Sequence, residues 1–306
     1  MSHRKTGREL TTVLVSRAPR FVYDIARIGQ NIVDRWVISR AVQNGTPVVL
    51  IYQYGRVAST SLYTSLLAAN LEFPVYHVHT LSQYRANQGI YKAKEHGRRV
   101  ARYLVLGKIV GEKIISLRDS PPPQPWKIVT VFRDPVSVMI SLHFMNVSRY
   151  FAGSLKKNGE LDKHKAIEHF LEILEKDDPS GWALSNWFDD VFYNELGVDV
   201  YKHKFDKDRG YTIINDSIFD ILLLRFENLE TGFNEGVAKL FNVDKQRVKL
   251  LHSHLHKDDK YADLQNYVKN NLKLSKSSCD KIYATKFAKH FYSDELISKL
   301  TKKWSG

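Results

Sequence analysis

Residues 53–61 read Gln-Tyr-Gly-Arg-Val-Ala-Ser-Thr-Ser. Arg56 offers a planar, permanently charged fork of donors, and Ser59, Thr60 and Ser61 add hydroxyls. Groups of this kind suit an oxyanion, the simplest being a phosphate or sulfate ester. The preceding run, Val48-Val49-Leu50-Ile51-Tyr52, is apolar and β-branched and predicts a buried strand, and an apolar helical pattern follows the loop. A strand that feeds a loop and then a helix start aims unpaired N–H groups and the positive end of the helix dipole at one place. A nucleotide-hydrolysing loop of the G-x-x-x-x-G-K-[ST] type is not present: Thr60 falls five residues after Gly55, the loop is shorter, and no Gly-Lys pair occurs.

A second set lies at residues 128–144, IVTVFRDPVSVMISLHF. A strand predicted over 127–133 ends at Arg133-Asp134-Pro135, and a helix is expected from 135 onward. Pro135 suits the first helical turn, where its missing N–H costs nothing, and Asp134 suits the N-cap. Ser141 follows Arg133 by about two helical turns. Between the two sets, Phe73-Pro74-Val75-Tyr76-His77-Val78-His79-Thr80-Leu81 reads as a strand with His77 and His79 on one face. An imidazole titrates near neutrality and can take a proton from an attacking hydroxyl. Two structural histidines at a strand end is the other reading.

Arg56-Val57-Ala58-Ser59-Thr60-Ser61 resembles the 5′-phosphosulfate loop, [KR]-x-[AG]-[ST]-T-[ST], of sulfotransferases that use 3′-phosphoadenosine 5′-phosphosulfate (PAPS). Many members carry lysine where this chain has Arg56. The R-D-P-x-x-x-x-x-S match extends the resemblance, which implies that Arg133 and Ser141 hold the 3′-phosphate. Some members have a further arginine where this chain has Val138. The His-x-His pair resembles that of carbohydrate 2-O-sulfotransferases, whose second histidine is the base. The role passes to His79, with His77 as support or alternate. Arg225-Phe226-Glu227-Asn228-Leu229 resembles the family's R-Y-E-D-L segment, departing from it at Phe226 and Asn228. Ser185-Asn186-Trp187-Phe188-Asp189-Asp190, Leu196 to Tyr201, Phe205-Asp206-Lys207 and His290-Phe291-Tyr292-Ser293 are similar in order to a sulfotransferase-like bacterial family of capsular polysaccharide synthesis proteins.

The positioning elements follow from patterning. Strands alternating with helices predict an α/β fold with a central, mainly parallel sheet. The resemblance makes that a P-loop-like three-layer sandwich. Residues 1–45 form an N-terminal helical extension and 46–306 the α/β domain, with a helical C-terminal cap from about 230. Helices are expected at 60–70, 91–108, 135–150, 163–176, 182–195, 230–241, 259–271, 276–290 and 293–303. A buried strand is expected over 219–226, and short strands around turns over 198–216. Residues 19–42 place Phe21, Val22, Ile25, Ile28, Ile32, Trp36 and Val37 at helical spacing, with arginines on the other face. That reads as a helix packed on the domain, or else as one lying on a membrane surface.

The chain has 306 residues, enough for a substantial core, and 43% hydrophobic content. Its single cysteine, Cys279, rules out an intrachain disulfide framework and any cysteine-based metal cluster. Lysine and arginine number 46 against 33 acidic residues, a formal charge of +13. Such an excess concentrates anions. Nucleic acid, an acidic membrane surface, and an anionic cofactor with an acidic polysaccharide all fit that charge, but no nucleic-acid module is apparent. No segment carries the roughly 20 apolar residues of a membrane span. The charged start, MSHRKTGREL, lacks the apolar run of a secretory signal, so the expected location is cytoplasmic, with peripheral membrane contact as an addition.

Other constellations are weaker. His252, His254 and His256 alternate, but no partner completes a metal site, and no metal is expected. Lys257 and Lys260 beside Tyr261 fall where some sulfotransferases close a basic loop over the nucleotide. Asp177-Asp178 and Asp189-Asp190 read as helix ends or exposed faces, and Trp187 as a core residue or a sugar platform. The resulting expectation is sulfuryl transfer from PAPS to a hydroxyl of a carbohydrate or capsular polysaccharide acceptor. His79 and Arg56 would be catalytic, with His77 in support, and Arg56 to Ser61, Arg133 and Ser141 would bind the nucleotide. The competing readings are a non-catalytic nucleotide- or polysaccharide-binding assembly protein and a P-loop kinase or NTPase.

Overall fold

The computed structural model describes residues 20–145, 147–151, 160–176, 178–179, 182, 184–252 and 261–306. His254, His256, Lys257, Lys260 and Asp177 therefore lie outside the described residues. A central sheet has the order β2-β1-β3-β5-β4: β1 (Val49–Tyr52), β2 (Val75–Val78), β3 (Trp126–Phe132), β4 (Tyr211–Asn215) and β5 (Phe219–Arg225). The first four in that order run parallel, and β4 closes the edge antiparallel to β5. The fold is thus α/β with a mostly parallel sheet.

Helices cover both faces. They are α1 (Arg20–Gln43), α2 (Ser59–Ala68), α3 (Gln83–Glu95), α4 (Arg102–Asp119), α5 (Pro135–Met145), α6 (Lys163–Lys176), α7 (Leu229–Phe241), α8 (Ala262–Asn271), α9 (Lys276–Tyr283), α10 (Lys286–Phe291) and α11 (Asp294–Ser305). Strand alternation divides the core in two. Val49, Ile51, Val129 and Val131 meet Leu62 and Leu66 of α2 and Phe233 and Val237 of α7. Leu50, Tyr52, Ile128 and Phe132 meet α4, α5 and the C-terminal helices. All but one residue in each of β3 and β5 is buried, as expected for interior strands covered on both faces.

The helix expected over 91–108 is two helices, because Gly97 adopts φ 62°. Its N–H and that of Arg98 bond back to the carbonyls of Lys94 and Ala93, which terminates α3. The helix expected over 276–290 is likewise broken: Thr285 caps α10 through the N–H of Ala288. Residues 198–216 hold only one strand, β4, since Gly210 turns the chain at φ 72°. A Cβ there would lie 2.3 Å from that of Asn228. Over 182–195 the backbone forms a wide π-helical stretch, Phe188–Tyr193, that buries Phe188 and Phe192. Trp187 is 5% exposed and packs on Tyr52 and Tyr54, so it is a core residue.

Four of the apolar positions expected on α1 do not face the domain, Val37 is half-buried, and the side chains of Phe21 and Val22 lie outside the described residues. The packed face of α1 carries Asp34, Ile38 and Ala41, whereas Ile25, Ile28, Ile32 and Trp36 are exposed. Arg102 Nη2 donates to both carboxylate oxygens of Asp34, at 2.8 and 3.0 Å, and fixes the helix to α4. No described helix is long and apolar enough to cross a membrane.

Candidate functional site

Parallel strands leave their carboxyl ends on one edge, and the chain moves to opposite sides of β1 when it forms β2 and then β3. The crevice at such a switch point is where open α/β sheets receive ligands. Ile51 is level with both His77 and Val129, so Gln53, two residues on, is level with His79 and Val131. Gln53 is fully buried and ties the three strand tips together. Its Oε1 accepts from the Val131 N–H at 3.1 Å, and its carbonyl accepts from His79 Nδ1 at 2.7 Å. The Tyr54 hydroxyl accepts from the Arg133 N–H at 3.0 Å.

Beyond these anchors the loop is strained. Arg56 and Ala58 adopt φ 72° and 66°, left-handed conformations that cost a residue with a Cβ about 1–2 kcal/mol each. Val57 between them is fully buried and plugs the apolar layer, which holds the loop in that shape. Alternating backbone hand turns successive N–H groups into a common concavity. Helix α2 starts at once, at Ser59, and no side chain caps its first turn. The donors of Ser59, Thr60 and Ser61 thus open on the crevice.

Asp134 secures the second strand tip. Its carboxylate caps α5 through the N–H and hydroxyl of Ser137, at 3.0 and 2.6 Å. It also accepts from the Tyr283 hydroxyl at 2.8 Å and Trp304 Nε1 at 3.1 Å, so the C-terminal helices brace the turn that carries Arg133. Arg225 is buried and donates to the carbonyls of Phe291 and Lys207, and the next residue, Phe226, lies 4.0 Å beneath the Arg133 guanidinium.

One cavity of about 710 Å³ collects these groups. Arg56, Ala58, Ser59, Thr60, Ser61, His77, His79, Arg133 and Ser141 all line it. Val57 is not part of the lining, and both it and Val138 are buried in the core. Arg56 Nε donates to Ser141 Oγ at 2.8 Å, directly joining the loop after β1 to the helix after β3. None of the described lining residues is acidic. Among the described residues no group of three or more His, Cys, Asp or Glu side chains could hold a metal ion. His252 is exposed and pairs with Glu230 at 3.2 Å.

The histidine pair sits at the cavity wall with ring centroids 4.5 Å apart, and Tyr103 packs edge-on against His79. A carbonyl only accepts, so Nδ1 of His79 carries the proton and Nε2 keeps its lone pair. Burial lowers the His79 pKa, although the Gln53 bond opposes that shift. His77 falls further, to about 3, through burial and then the neighbouring His79, and its Nε2 is buried without a partner. Both rings are neutral at pH 7.

Lys269 on α8 completes the basic lining and is absent from the sequence-based set. Burial, followed by the charges of Arg133 and Arg56, lowers its pKa to about 8. The ammonium is therefore destabilised until an anion arrives. An anionic ligand will bind with proton uptake, and its affinity will fall several-fold between pH 7.5 and 9 as the free-state amine deprotonates. Titration calorimetry with adenosine 3′,5′-bisphosphate in buffers of different ionisation enthalpy checks this, and Lys269→Met is expected to abolish the dependence. Nothing in the sequence separates Lys269 from the many solvated lysines, since only the docking of α8 brings it to the strand tips.

No curated protein and no solved structure matches the chain. Residues 158–293 match the family described as "Putative capsular polysaccharide synthesis protein", a stretch that begins beyond the Arg56 loop and Ser141 but includes Phe226, Gln265 and Lys269 of the cavity lining.

Proposed function

We propose that the protein is a PAPS-dependent sulfotransferase acting on a hydroxyl of a carbohydrate, and that a capsular polysaccharide or its precursor is the acceptor. The observation that carries this reading is the 2.8 Å bond from Arg56 to Ser141 across the switch-point crevice. It joins the loop after β1 to the helix after β3 at one cavity, which supports a reading in which a single ligand meets both strand tips. A ligand with separate anionic groups at its 5′ and 3′ positions suits the basic lining, in which no described residue is acidic. The family match over residues 158–293 supports the polysaccharide setting.

In this reading the N–H groups and hydroxyls of Ser59, Thr60 and Ser61 hold the 5′-phosphate, and Arg133 and Ser141 hold the 3′-phosphate. His79 Nε2 accepts the proton of the acceptor hydroxyl as its oxygen bonds to sulfur. Arg56 and the helix start stabilise the charge left on the departing phosphate oxygen as the old sulfur–oxygen bond breaks. His77, uncharged beside it, keeps a second positive charge away from the base.

Thermal unfolding tests the reading before any acceptor is known. Ligand that binds only the native state raises the melting temperature by mass action. Adenosine 3′,5′-bisphosphate at about 100 times its Kd is expected to add roughly 2.7 kcal/mol of stability. Adenosine 5′-monophosphate, lacking the 3′ group, is expected to add far less. Equal shifts with the two nucleotides, or a larger one with magnesium-ATP, would overturn the assignment.

A further inference from the structure

We infer that α1 docks the protein on an anionic lipid surface. The inference is independent of the transferase reading. A helix packed on a domain normally turns its apolar stripe inward. Here Ile25, Ile28, Ile32 and Trp36 recur at three- and four-residue spacing on the side opposite Asp34, Ile38 and Ala41. Their exposures are 65, 60, 64 and 58%, and Val33 beside them is 52% exposed. Single exposed apolar residues are ordinary, but a continuous stripe marks an interaction surface.

Charge selects the occupant. From Ile25 to the end of α1 the only acidic residue is Asp34, which is buried and neutralised by Arg102. Arg35 and Arg40 flank the stripe, and Arg40 lies 5.2 Å over the ring of Trp36. Arg35 pairs with the half-exposed Glu112, at 2.7 Å. Helix α4, on which α1 rests, is entered through a turn that exposes Arg98 and Arg99. Apolar side chains with a tryptophan, rimmed by arginines, match the boundary between acyl chains and anionic headgroups. The shape argues against a second copy of the chain. The stripe is about 16 Å long on a helix about 10 Å wide, far below the ~800 Å² that each partner of a stable complex buries. Arg102, which anchors α1, neighbours Tyr103 of the candidate cavity lining.

Flotation of the full chain with phosphatidylcholine vesicles, with and without one third phosphatidylglycerol, tests this. Binding is expected only to the anionic vesicles, weakening at high salt as screening grows. The double variant Ile28→Glu/Ile32→Glu is expected to lower the bound fraction about tenfold or more. Its melting temperature and its binding of adenosine 3′,5′-bisphosphate are expected to match wild type. Failure of the wild-type chain to float, equal binding to neutral vesicles, or retention of binding by the variant overturns the inference. So does a dimer in light scattering that the variant dissociates, since the stripe would then be a seam between copies.

Discussion

His79→Ala is expected to lower sulfuryl transfer by about 10²–10⁴-fold while leaving the affinity for adenosine 3′,5′-bisphosphate within twofold of wild type. The reason lies in the tautomer. The backbone carbonyl of Gln53 fixes the proton on Nδ1, so the nitrogen that remains basic is Nε2. Gln53 is itself immobilised by the Val131 N–H, and β2 delivers the ring to the cavity wall. Burial adds a signature in pH. Because the His79 pKa is lowered, the neutral, competent form persists below the ordinary imidazole range. The acid limb of the rate profile should therefore fall below pH 6.5, its midpoint disappearing in the variant. His77 is already held at about 3, so it adds no limb near neutrality, and His77→Ala is expected to reduce the rate by less than about tenfold. A fully active His79→Ala protein would remove the residue as base without bearing on the proposed nucleotide site.

The sequence discloses this site unevenly, and the division has a physical basis. Arg56, Arg133 and the two histidines stand at the ends of short apolar runs, where a parallel sheet must expose its strand tips, so pattern alone locates them. What the pattern cannot supply is which tips are neighbours. The order β2-β1-β3 places all three at one crevice, and only tertiary pairing sets it. The loop conformation was hidden for a different reason. Arg56 and Ala58 carry Cβ atoms in the left-handed region, whereas local propensity favours glycine there. The surrounding packing, Val57 in the core and Gln53 and Tyr54 bound to β3, overrides that preference. Such strain is found where a backbone is held for a ligand.

Elsewhere the limits are those of local reading. The helix over 163–176 and those of the C-terminal cap follow from periodicity, but single capping residues such as Gly97 and Thr285 cut two expected helices into four. Helix α1 shows the opposite failure. Its apolar spacing is unambiguous, yet periodicity does not say which side meets the domain. A buried Asp34–Arg102 pair, invisible to a hydrophobic pattern, orients it with the stripe outward. Lys269 and Gln53 illustrate the same point at the site. Each is a common polar residue whose role arises from burial, and burial is a property of the fold.

Arg56→Ala is expected to reduce kcat/KM by about 10²–10³-fold, the loss typical of a preorganised charge aimed at a developing anion. Arg56→Lys should recover most of that, because the charge returns even though the planar fork does not. The more discriminating experiment pairs Arg56 with Ser141. Their side chains touch at 2.8 Å, yet they sit on elements that follow different strands, 85 residues apart. Residues that serve one ligand and contact each other show coupling energies of about 0.5–3 kcal/mol, whereas independent sites add within about 0.3–0.5 kcal/mol. A double-mutant cycle of Arg56→Ala and Ser141→Ala, read as the affinity for adenosine 3′,5′-bisphosphate, should therefore be non-additive. The same cycle read with adenosine 5′-monophosphate should lose much of its coupling, since the group facing Ser141 is gone. Additive losses with the bisphosphate would mean that the two strand tips do not grip the same molecule. The hydrogen bond between them would then serve only to shape the loop.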